Sequence, residues 1–112
     1  MDIEDWRNEI DAIDEKLIEL LNRRSTCAIE IGHIKRRIGL PVYSPSRETE
    51  VIEHVVGRNQ GPLEAKAVRR LFERIIDESR RIERLAVEKE ARERERLGDG
   101  KTAGNARKKR RA

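Results

Sequence analysis

Aromatic side chains are almost missing. This chain of 112 residues holds one Trp, one Tyr and one Phe, and only 36% of its residues are apolar. So little large apolar material cannot fill a wide core from one chain, and a domain of this size standing alone is marginal. Association with a further chain is the expected remedy. Cysteine is as scarce. Cys27 stands alone, which excludes an internal disulfide framework and fits a reducing compartment. No apolar run approaches the ~20 residues of a membrane span. The opening "MDIEDWRNEI" is acidic and lacks the apolar stretch of a secretory leader. A soluble, cytoplasmic protein is expected. His33 and His54 hold no ligand spacing with Cys27 or with each other, so no zinc site is expected. Neither a strand pattern nor an internal repeat is present.

Charge, by contrast, is abundant, at 43% of residues with a net of +4. The excess is local. Lys101, Arg107, Lys108, Lys109, Arg110 and Arg111 stand against Asp99 in residues 98–112, which leaves residues 1–97 nearly neutral. This basic tail has no material for a core and is expected to be disordered. Without interleaved aromatics it is a weak, non-specific signal for nucleic acid. "GDGKT" has the look of a phosphate loop, but Glu95 occupies the place of the motif's first glycine and no strand precedes it.

The folded part reads as three helices. Ile3, Trp6, Ile10, Ile13, Leu17, Leu20, Arg24, Cys27, Ile31, Ile34 and Ile38 keep an alternating 3,4 spacing, which predicts one helix from Ile3 to Ile38, stopped by Gly39 with Pro41 beyond it. Such a helix is roughly 50 Å long, against a radius of gyration near ~13 Å for a compact domain of this size. Part of its seam is therefore expected to be buried by another chain. Ser44 before Pro45 predicts a cap and start for a second helix, ended by Gly57. A third is expected from Pro62, with Val68, Leu71, Phe72, Ile75, Ile76, Ser79, Ile82, Leu85 and Ala86 on its apolar side. From about residue 87 it becomes a charged, solvated extension.

Several polar residues break these patterns. Arg24 is the charged member of an apolar seam. It needs an ion pair, a register-setting role, or an anionic ligand. Lys35 follows eleven residues later, on nearly the same face and ~16 Å along the axis. Two long cations so placed can close on one small anion, although a cation near a helix C-terminus is favoured in any case. Arg7, ~25 Å from Arg24, cannot serve the same site within one chain, but an antiparallel pairing of two long helices brings it close. Ser79 and Glu83 prolong the face of Phe72 and Ile76, and Arg47 and Glu48 sit just past the proline corner. Together these are cations and two carboxylates with no nucleophilic dyad.

The order "WRNEIDAIDEKLIELLNRR", "IGHIK", "PVYSPSRETEV" and "LFERIIDESRRIE" resembles the all-helical chorismate mutases over roughly residues 3–86. The resemblance implies an intertwined homodimer of three-helix chains that turns chorismate into prephenate, on the way to Phe and Tyr, with no metal or cofactor. It places the anion-binding arginines at Arg24 and, from the partner chain, Arg7. Lys35 is implied to meet a substrate carboxylate and the ether oxygen, Glu48 beside Arg47 to hold the ring hydroxyl, Ser79 to touch a carboxylate, and Glu83 to meet the ether oxygen. Two positions depart from the family: Ser44 stands where Asp is frequent, and Glu83 where some relatives have Gln. Either residue caps a helix, so a backbone contact at Ser44 survives. The domain is taken as residues 1–97 and the tail as 98–112. Isochorismate pyruvate lyase on the same scaffold, and a helical nucleic-acid binder using the tail, are the rival readings.

Overall fold

The structure, a computed structural model, describes residues 1–102, of which 99–102 in backbone only. It consists of α1 (Ile3–Ile38), α2 (Pro45–Arg58) and α3 (Ala65–Thr102). Helix α1 opens on a reciprocal cap. Asp2 accepts from the Asp5 backbone N–H at 2.9 Å, and Asp5 accepts from that of Asp2 at 3.0 Å, so two otherwise unpaired donors are satisfied. It closes on Gly39, whose φ of 78° is the left-handed conformation that glycine adopts without strain.

Three boundaries differ from the expectations. Gly57 does not stop α2, which runs to Arg58 and is capped by the Asn59 backbone N–H bonding to the Val56 carbonyl at 3.2 Å. One glycine in a last turn costs about 1 kcal/mol and is tolerated. Helix α3 begins at Ala65 rather than Pro62, because Asn59 holds residues 59–63 as a turn. Its Nδ2 donates to the Leu63 carbonyl at 2.8 Å, and its Oδ1 accepts from the Gly61 N–H at 3.1 Å. At its other end α3 reaches Thr102, past the expected tail boundary at Gly98. The rest of the tail lies outside the described residues.

α1 and α2 each pack on α3. The face that α1 turns to α3 is not its apolar seam. Ala28 and Gly32 are its buried residues, whereas Ile3, Trp6, Ile10, Ile13, Leu17 and Leu20 are 45–68% exposed. Cys27, expected as seam packing, is exposed too. On α3 the buried positions are Val68, Ile76 and Glu83, and the expected stripe members Leu71 and Leu85 lie open. A small-residue face explains this choice, since helices approach closely only where side chains are short. A Cβ on Gly32 would lie 2.7 Å from Glu83 Cγ and 3.2 Å from the Glu83 carbonyl oxygen.

The chain is correspondingly elongated, 71 × 33 × 15 Å with a radius of gyration of 20.1 Å. Beyond Glu83 the extension stays attached to α1. Val87 packs over Gly32, and His33 Nδ1 lies 3.0 Å from Glu90 Oε1. That hydrogen bond holds the Glu90 carboxyl below the usual carboxylate range, against the opposing effect of its burial. Among the described residues no helix is long and apolar enough to cross a membrane.

Candidate active site

The three helices line a half-open cavity of about 230 Å³. Seven of the residues singled out from the sequence line it: Arg24, Lys35, Ser44, Arg47, Glu48, Ser79 and Glu83. The eighth, Arg7, does not. It lies exposed near the start of α1, 3.7 Å from Glu4.

Each wall follows from local chemistry. Where α1 ends at Gly39, the chain doubles back. The Leu40 N–H bonds to the Lys35 carbonyl at 2.8 Å, and Val42 returns its own carbonyl to accept from Lys35 Nζ at 2.7 Å. The corner therefore holds the lysine's head group in the cavity. Ser44 stands at the cap of α2 with Pro45 behind it, but its hydroxyl makes no cap hydrogen bond. The capping role expected of its side chain is not fulfilled. Only its carbonyl serves the helix, accepting from the Glu48 N–H at 3.0 Å.

On the α3 side, Ser79 Oγ accepts from Arg24 Nη1, so the charged residue of the apolar seam turns its guanidinium to the cavity wall. Glu83 is the one charged side chain that is buried among the described residues, at 7% exposure. Lys35 Nζ lies 2.8 Å from its Oε1. The contact is an ion pair without hydrogen-bond alignment, and Oε1 has no aligned donor.

Sequence reasoning missed Arg80. Its guanidinium lines the cavity and grips Glu48 with two hydrogen bonds, Nε to Oε2 at 2.9 Å and Nη2 to Oε1 at 3.1 Å. The Glu48 carboxylate raises the Arg80 pKa further above its ordinary value. The signal was present in the spacing. Arg80 lies four residues after Ile76 and three before Glu83, and so shares their face.

Four cations, Arg24, Lys35, Arg47 and Arg80, thus line the cavity beside two carboxylates, Glu48 and Glu83, with the Arg47 guanidinium turned outward to Glu50. The positive excess suits a small dianion. Among the described residues no group of three or more His, Cys, Asp or Glu side chains is placed to hold a metal ion.

A family model described as chorismate mutase type II matches residues 6–84. The bifunctional chorismate mutase/prephenate dehydratase of Pseudomonas aeruginosa is 41% identical over 75 residues, 62% of this chain and 20% of that protein. The chain spans about a fifth of the length of such curated relatives. Among solved structures, a chorismate mutase from Thermus thermophilus aligns at 33% identity and a TM-score of 0.72, over 73% of this chain and 93% of that one. A Helicobacter pylori chorismate mutase in complex with prephenate aligns at 30% identity and a TM-score of 0.71, over 77% and 93%.

Proposed function

This chain belongs to the type II chorismate mutase family, and we propose that it rearranges chorismate to prephenate in the cavity between its helices, serving Phe and Tyr synthesis in the cytoplasm. The observation that carries the proposal is the convergence of Arg24, Lys35, Ser79, Glu48 and Glu83 on one small, cation-rich cavity.

The reaction is an intramolecular Claisen rearrangement, in which one C–O bond breaks as one C–C bond forms. It needs no nucleophile and no lasting proton transfer to the protein. What a catalyst supplies is a compact substrate conformation and stabilisation of the charge that separates. Arg24 and Lys35 clamp the two carboxylates of the dianion, which restricts it to reactive conformers. Ser79, already bonded to Arg24, fixes that guanidinium and offers its hydroxyl to a carboxylate. The first turn of α2 brings Ser44, Arg47 and its partial positive charge to the same wall, and Glu48 accepts from the ring hydroxyl.

Negative charge grows on the ether oxygen as the C–O bond opens. Lys35 and Glu83 meet it there. An ionised Glu83 repels that oxygen, whereas a protonated one donates to it. In this structure Lys35 pairs with Glu83. A bound dianion draws the ammonium to itself, away from Glu83. Preorganised donors of this kind contribute ~3–4 kcal/mol each in other enzymes.

The working unit is a homodimer. The exposed seam of α1 offers Ile3, Trp6, Ile10, Ile13, Leu17 and Leu20 to a second copy, and the 20.1 Å radius of gyration far exceeds the ~13 Å of a compact domain this size. An antiparallel pairing of the long helices carries the Arg7 of one chain to the open side of the other's cavity, where it adds a further cation for the substrate.

Purified protein supplied with chorismate is expected to consume it and accumulate prephenate. Release of pyruvate from isochorismate, without prephenate from chorismate, would replace this reading with the lyase.

A further inference from the structure

The Glu48–Arg80 pair does more than tie α2 to α3. We infer that Arg80 is a positioning residue for the reaction, holding Glu48 in one orientation so that it accepts the ring hydroxyl of the substrate. This rests on the mutase reading above.

The geometry supports it from both sides of the pair. Arg80 approaches Glu48 through two different nitrogens, each bonded to a different carboxylate oxygen. Such a fork fixes the plane of the carboxylate as well as its distance, which a single point contact does not. Arg80 is itself held in place. Its Nη2 also donates to Asp77 Oδ1 at 3.2 Å, and Cζ lies 5.0 Å from the centroid of the Tyr43 ring. The lone tyrosine at the proline corner therefore has a task, as a platform under the guanidinium.

Glu48 needs this support. It stands in the first turn of α2 with a quarter of its side chain open to solvent, and a glutamate so placed has several rotamers available. The fork to Arg80 selects one of them. Each carboxylate oxygen bonded to Arg80 keeps a second lone pair, which remains for the substrate hydroxyl. Arg47, the sequence neighbour expected to share the corner's task, is instead paired with Glu50 at 3.3 Å on the exposed side.

A double-mutant cycle separates positioning from direct substrate binding and from simple bracing of the fold. Hydrogen bonds to a charged group suggest that Arg80→Ala lowers kcat/KM roughly ten- to hundredfold, with Arg80→Lys recovering only part because it lacks the fork. If Arg80 acts through Glu48, then in a Glu48→Gln background the same Arg80→Ala change costs less than about threefold, while in a Lys35→Ala background it keeps its full cost. A loss that persists undiminished beside Glu48→Gln means that Arg80 binds substrate directly or braces the fold, and overturns the proposal. So does Arg80→Ala with wild-type kinetics. Because wild type is measured in the same series, failure of the mutase reading shows separately, as absence of prephenate from wild type itself, and takes the proposal down with it.

Discussion

Gly32→Ala adds one methyl group at the contact on which the site is built. Its Cβ would stand 2.7 Å from Glu83 Cγ, 3.2 Å from the Glu83 carbonyl oxygen and 3.4 Å from Val87 Cγ2. Carbon atoms pack at ~3.5–4.0 Å, so the Glu83 side chain has to retreat by about 1 Å or α3 has to back away. Overpacking of this kind costs ~1–3 kcal/mol, and alanine regains about 1 kcal/mol of helix propensity. The net destabilisation is then about 0–2 kcal/mol, a fall in Tm of at most roughly 15 °C for a domain of this length. Activity suffers more. A misplacement near 1 Å at a reacting centre is worth about a hundredfold, and the group displaced is the one proposed to meet the ether oxygen. The assay pairs thermal unfolding with steady-state loss of chorismate absorbance. Gly57→Ala is the control, since nothing lies within 4 Å of its added Cβ; it should leave kcat unchanged and raise stability slightly. A Gly32→Ala protein with wild-type kcat would refute the claim that the α1–α3 approach sets Glu83.

Other expectations concern charge. Lys35→Ala removes both a carboxylate clamp and a donor to the ether oxygen, and kcat should fall about 10²–10³-fold while circular dichroism stays helical. Glu83→Gln keeps a donor for the ether oxygen and should stay active, whereas Glu83→Ala should lower kcat about 10²–10³-fold; equal losses in both variants exclude this role. The His33–Glu90 pair should show in stability instead. The folded chain holds Glu90 more acidic than its ordinary 4.5, so the stabilisation is present above that value and disappears as pH falls below it. Glu90→Gln should therefore destabilise the fold at pH 6, by no more than about 1 kcal/mol for a partly exposed pair, and the difference from wild type should close near pH 3. A difference unchanged across that range means the pair contributes nothing electrostatic.

Residue type and order made much of the site legible. Arg24 is conspicuous because a charge interrupts an apolar period, and Lys35 because eleven residues return it to the same face. Ser79 and Glu83 extend the face of Phe72 and Ile76, although Leu71 and Leu85 of the same expected stripe lie open. Which stripe of α1 meets α3 was not legible. Periodicity marks apolar residues, so it selected the seam through Ile10 and Leu17, whereas α3 settles on Ala28 and Gly32, where short side chains allow a close approach. The one hint was a glycine inside an otherwise strong helix, a cost that close packing explains. Arg80 escaped because its importance depends on Glu48, 32 residues away, a proximity that only the fold creates. Ser44 misled in a subtler way. Its position before proline identified the helix start correctly, but capping by its side chain is a matter of rotamer, which a sequence does not encode. Similarly, Gly57 and Pro62 are real punctuation signals that were outweighed by one more turn of α2 and by the Asn59-held loop.

The central claim is that catalysis occurs in the cation-rich cavity of one chain, completed by Arg7 of another. Mixing separately inactive chains tests it directly. Arg7→Ala and Lys35→Ala proteins are each unfolded, combined in equal amounts, refolded together, and assayed for prephenate from chorismate. In a two-fold dimer with shared sites, each mixed pair has one site carrying both lesions and one carrying neither, so random assortment should restore roughly a quarter of the wild-type sites. Recovery to about that level is the expected result. A mixture no more active than its parents, although both chains refold and pair, would contradict the composite site.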